Sequence, residues 1–345
     1  MSDFIVYAEK KAFDEITFNG SYPNLKSIFT NHSTIFLNLT KDEVKEDILS
    51  EGEIFFYLHA YPGANIPEAY PAQFRNVYAD FSTLVFTPRS IYFLNIPKHD
   101  ADSLQQQYGI IVQSSNDISD NILRGGAHRE LNKDMILNVG TGSGWKSLFD
   151  FTLPPSNSLV ITDDWLFKNE EMGNIIGETN IVNFIDAILP IGLLTDFHIL
   201  IITDDQDRTQ LRCEKLVADL SSRIKVLREY PIVFELVFAD TIHKRKAILN
   251  YISVTCDKGF AMFRLSDNIT IRDDNDFRYE RVFNRIEKEE GDTVFYSDTL
   301  LLHKIKDKCI SVKQYITNRH QEPNRRILGD CNSDKSLKNR LINDV

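Results

Sequence analysis

Apolar positions change their period partway along this chain of 345 residues. Up to about residue 145 they form short runs rich in β-branched and aromatic residues. Residues 5–20, 53–61, 82–95 and 108–115 read as strands, broken by Asn19-Gly20, Pro62-Gly63 and Asn95-Ile96-Pro97. Residues 41–52 carry charges at helical spacing and predict a short helix with one solvated face. Residues 118–140 predict another, ending near Gly125-Gly126.

Beyond about residue 146, buried strands alternate with helices. Residues 158–164, 197–205 and 232–240 are continuous apolar runs that close on polar residues, and they predict buried strands. Between them, residues 180–190 form an amphipathic pattern stopped by Pro190, and residues 210–230 a longer one. Residues 245–265 read as a strand pair, and residues 293–319 as one strand followed by one helix. Such alternation predicts an α/β layer with a largely parallel sheet. The expected fold class is therefore α/β, with a β-rich (α+β) N-terminal module over 1–145 and an α/β domain over 150–320. Gly and Pro cluster over residues 140–155, where the boundary is placed, and residues 321–345 are expected to be a loose basic tail.

Composition adjusts this picture only slightly. A net charge of −11 makes the whole molecule repel nucleic acid and anionic membranes at long range. The charge is uneven, because residues 303–345 hold 10 Lys and Arg against 5 Asp and Glu, a local excess that could meet phosphate or simply form a solvated face. Cys213, Cys256, Cys309 and Cys331 are scattered and form no C-x-x-C pair, which points to reduced thiols in a cytoplasmic protein. The start of the chain has no secretory pattern, and no apolar run is long enough for a transmembrane segment.

Three places carry candidate chemistry. Gly140 to Gly144 reads GTGSG, which suits either an anion-binding loop or a plain turn. Two predicted strands end alike, in Asp163-Asp164 and in Asp204-Asp205. Carboxylates at strand C-termini could hold Mg2+, or could cap the helices that follow. Adjacent Asp residues in an extended segment point to opposite sides, so each pair offers at most one ligand, and no metal or organic cofactor is expected. His243, Lys244, Arg245 and Lys246 form the third place. Arg can grip a phosphate through two nitrogens and Lys adds point charge, whereas an edge strand uses the same charges to block pairing. Strand alternation would put His243 and Arg245 on one face.

His243, Arg245 and Asn250 follow the spacing H-x-R-x4-N, which resembles the H-x-K-x4-D signature of the phospholipase D superfamily, with two of its three residue types exchanged. Residues 155–265 also look like the phospholipase D-like C-terminal domain of MIT-domain-containing proteins. Asp164 to Phe167 is similar to that family's acidic turn, Glu178 to Val182 to its Q-x-x-N-L helix, Thr203 to its strand-ending Thr, and His243 to Arg245 to its H-D-R motif, which leads on to Gly259-Phe260. The family's Asp after His is Lys244 here, and no microtubule-interacting three-helix domain precedes it. The resemblance implies a phospholipase D-like domain that binds an anionic phosphorylated ligand (a lipid headgroup, nucleotide or nucleic acid) and acts as an intracellular binding or adaptor protein. His243, Lys244, Arg245, Lys246 and Asp164 would bind it, with Asn250 orienting His243. The alternative is a phosphodiesterase or nuclease working as a homodimer, with His243 as nucleophile, Arg245 stabilising the transition state, and Asn250 in the place of the Asp.

Overall fold

A computed structural model describes residues 4–71, 77–131, 144–149, 151–168, 170–171, 173–204, 209–239, 242–266, 275–284, 293–319 and 326–345. The chain is α/β, with two main sheets. The first holds β1 (Phe4–Ala8), β2 (Ser33–Leu37), β3 (Glu68–Ala69), β4 (Ser90–Leu94) and β5 (Ile111–Ser114), in the order β3-β2-β1-β4-β5. Every pairing in it is parallel. Parallel neighbours need crossovers, and helices supply them: α1 (Lys10–Phe18), α2 (Pro23–Asn31), α3 (Lys41–Leu49), α4 (Glu53–Ala60) and α5 (Lys98–Tyr108). The expected β-rich module is therefore corrected to a parallel α/β unit.

The correction turns on particular residues. Residues 53–60 are not a strand. They bury Ile54 and Tyr57, three apart, and leave Phe56 in solvent, which is a helical face. The predicted helix at 41–52 does form, with Thr40 and Glu43 closing a reciprocal cap. The helix expected to end near Gly125 does not form: residues 118–125 are turns and irregular backbone, and strand β6 (Gly126–Leu131) follows them and pairs antiparallel in the second sheet. Gly126 is needed there, since a Cβ would lie 2.4 Å from the Tyr279 carbonyl.

The second sheet adds β7 (Ser158–Thr162), after which come a separate hairpin of β8 (Glu170–Glu171) and β9 (Asn174–Ile175) and helix α6 (Ile176–Ile188). Strand β10 (Phe197–Thr203), helix α7 (Gln210–Lys225) and strand β11 (Ile232–Phe238) follow. Strands β7, β10 and β11 run parallel and are buried along nearly their whole length, as their unbroken apolar runs require. Beyond β7, the chain meanders antiparallel through β12 (Lys246–Leu249), β13 (Ile252–Cys256) and β14 (Asn275–Arg281) to β6.

Residues 294–319 form one helix, α8 (Val294–Arg319), and not a strand followed by a helix. Leu302, Ile305, Cys309 and Val312 recur at helical spacing and bury one stripe. From residue 326 on, the tail is not loose. Strand β15 (Arg326–Gly329) pairs antiparallel with β11, and Asn339 caps helix α9 (Arg340–Asp344) while donating to the Leu159 carbonyl at 3.0 Å. Burial pushes the Asp344 carboxyl up to about 6, against the pull of Arg89 and Lys306. The folded chain thus holds a proton there that the unfolded chain has released by about pH 4. Stability should therefore fall as pH rises from about 4 to about 6 and then level off. Urea midpoints at several pH values should show this slope in the wild type and a flatter one in Asp344→Asn.

The two sheets meet in one core. Tyr251, Val282, Phe283 and Phe295 pack with Phe4, Phe29 and Phe93. The turn between β12 and β13 makes the polar part of the seam. Tyr251 donates its hydroxyl to the Ser90 carbonyl at 2.5 Å and accepts the Ile111 N–H at 3.0 Å.

Candidate functional site

Strands β7, β10 and β11 end together, and the His243 segment lies against that edge. Strand β12 begins only at Lys246, which pairs with Thr162, the last residue of β7. Residues 242–245 are therefore not strand, and the expectation that alternation places His243 and Arg245 on one face is corrected. Asp164 is the reason. Its buried carboxylate accepts the Ile242 N–H at 3.0 Å and the His243 N–H at 2.8 Å. This clamp turns the backbone aside and holds His243 at φ 56°, a left-handed conformation that side chains with a Cβ rarely adopt. The His243 ring stands in solvent as a result, with Lys244 exposed beside it.

The remaining motif residues separate. Arg245 donates to the Asp257 carbonyl, and its Nε lies 4.0 Å from Asp163. Lys246 turns inward to the buried Asp298, 2.5 Å away. Asn250 sits at the other end of β12, four strand residues or roughly 13 Å further on. Its Oδ1 accepts the N–H groups of Asn157 at 3.0 Å and Ser158 at 3.1 Å, and its Nδ2 donates to the Pro88 carbonyl at 2.6 Å. Asn250 therefore holds the seam between the sheets and does not orient His243. Lys246 leaves the set of candidate ligand contacts, Asn250 loses its expected role of orienting His243, and Asp164 acts through the backbone it clamps.

Asp163 shows the same inward use of a carboxylate. It accepts N–H groups from Trp165 at 3.0 Å and Phe260 at 2.8 Å. Burial still pushes its carboxyl above the ordinary range, with those N–H groups and Arg245 opposing the rise. Gly259 permits this approach. It has φ +93°, and a Cβ there would lie 2.6 Å from the Asp163 carboxylate. Asp204 is buried too, with Lys168 at 3.9 Å. Burial thus sorts the charges at this edge. Asp163, Asp164 and Asp204 are 1%, 5% and 7% exposed, while Lys244 and Lys168 face solvent.

Among the described residues, no three His, Cys, Asp or Glu side chains come together as a metal-binding group. Asp205, and residues 140–143 of the glycine-rich stretch, lie outside the described residues. No helix among those described is long and apolar enough to cross a membrane. Sequence reasoning did not single out Lys168, Asp257 or Asp298, and read Trp165 only as part of the acidic turn. Trp165 was the most legible of these, an aromatic residue directly after the acidic turn of a buried strand. No protein-family model matches the chain, and no curated protein is similar enough to count as a relative.

Proposed function

We propose that this chain is a binding protein for an anionic phosphorylated ligand, gripped at the strand edge by His243, Lys244 and Arg245. The observation that carries the reading is the strained His243 backbone. A left-handed non-glycine residue costs about 1–3 kcal/mol, and here a buried carboxylate is committed to holding it. The effect is to present an imidazole and an adjacent ammonium outward, while Asp163, Asp164 and Asp204 stay buried. The spacing of His243 and Arg245 that resembles the phospholipase D signature supports the same chemistry. Lys246 and Asn250 have structural work instead.

Calorimetry with inorganic pyrophosphate tests this. Affinity should fall as salt rises from ~50 to ~300 mM, because the contacts are exposed and screened. The double variant His243→Ala/Lys244→Ala should bind about tenfold more weakly with its melting temperature unchanged, since neither side chain is buried. Equal affinity in the variant and the wild type would sink the proposal.

A further inference from the structure

The turn that carries Asp164 also carries an exposed tryptophan. Trp165 is 54% exposed, while its neighbours Leu166 and Phe167 are buried. The turn is a fixed one. The Trp165 N–H is held by Asp163, the Leu166 N–H donates to the Asp163 carbonyl at 3.3 Å, and the Lys168 N–H donates to the Trp165 carbonyl at 3.2 Å. The Lys168 ammonium lies 3.9 Å from the centre of the indole ring, which orients the ring and leaves it half open. Asp164 ties this turn to the His243 segment through two hydrogen bonds. An open indole, an ammonium on its face, and the His243 and Lys244 side chains are therefore mounted on two segments clamped to each other.

An aromatic platform beside cations is the arrangement that reads single-stranded nucleic acid. Each base offers a π-face to stack, and each linkage a phosphate to neutralise. We infer that the ligand at this edge is single-stranded nucleic acid, with a base stacked on Trp165 and adjacent phosphates met by Lys168, His243 and Lys244. The inference rests on the phosphate reading above and deepens it. A membrane surface is the competing occupant, because indoles also insert at lipid interfaces. The immediate surroundings disfavour it. Leu166 and Phe167 turn inward, so this turn offers one ring and no apolar patch, and the ring already carries a cation.

The chain has two tryptophans, and the other, Trp145, is 1% exposed, so quenching of the accessible fluorescence reports Trp165. A short oligothymidylate should quench it on binding. Trp165→Ala should weaken oligothymidylate binding about tenfold, as loss of one stacked base does, and leave pyrophosphate affinity unchanged. Trp165→Phe should recover most of the loss, measured by calorimetry. Pyrophosphate binding with oligothymidylate affinity indifferent to Trp165→Ala would overturn the nucleic-acid inference and leave the phosphate reading standing. Failure of both probes to bind would overturn both. Trp165-dependent binding to phosphatidylserine vesicles, without oligothymidylate binding, would overturn the inference in favour of a membrane.

Discussion

Asp298→Ala should cost about 3–5 kcal/mol of stability, the usual loss when one partner of a buried ion pair is removed. Asp298 is fully buried on α8 and faces Lys246 at 2.5 Å, with the Ser253 hydroxyl at 3.3 Å. Arg89 stands beside the same turn of helix. It donates to Thr299 at 2.8 Å, lies 4.0 Å from the centre of the Phe295 ring, and is 3% exposed. Burial pulls the Arg89 guanidinium below its ordinary range, and the charge of Asp298 is the first influence opposing this. Truncating Asp298 would leave the buried Arg89 and the partly buried Lys246 without the carboxylate that both face. Asp298→Asn keeps the shape and should fall between the two. Urea midpoints for the three proteins check the order, and a loss under ~1 kcal/mol in Asp298→Ala would show that Lys246 reaches solvent instead.

Asn250→Asp is the second large effect, and its direction runs against what the spacing suggests. The change would restore the acidic residue of the phospholipase D signature, yet it should destabilise the chain by about 3 kcal/mol. Asn250 is fully buried, and its amide donates to the Pro88 carbonyl and to Asn157 Oδ1. A carboxylate there would aim an acceptor at another acceptor, and ionising it would bury a charge with no cation on its contacts. The loss should shrink below pH ~5, where a carboxylic acid can donate in place of the amide. Thermal melts at pH 4 and pH 7 would show this, and an unchanged melting temperature at pH 7 would remove Asn250 from the seam.

The C-terminal half of the fold was legible because its signals are long. Strands β7, β10 and β11 are unbroken apolar runs, and α6 and α7 each bury a clear stripe. The N-terminal half misled because residues 53–60 are apolar nearly all round, so aromatic content suggested a strand where only Ile54 and Tyr57 are buried. At the candidate site, the sequence placed His243, Lys244 and Arg245 together, and the structure keeps them at one edge. It could not show that Asp164 bends the chain at His243. That bend depends on a contact between residues 79 positions apart, and local alternation carries no trace of it. The same blindness hid the partner of Lys246, which lies on a helix about fifty residues downstream.

Time is also written into the seam. Ile111 waits for the Tyr251 hydroxyl, 140 residues later in the chain, and Asn250 is 162 residues beyond the Pro88 carbonyl it satisfies. A ribosome adding ~5–20 residues per second needs roughly 7–30 s to cover that interval. Through that interval the nascent N-terminal sheet has its strands but not the ring and hydroxyl that seal it. Phe4, Phe29 and Phe93 border the unfilled space, so the newborn chain carries an apolar opening that the finished one closes with Tyr251, Phe283 and Phe295.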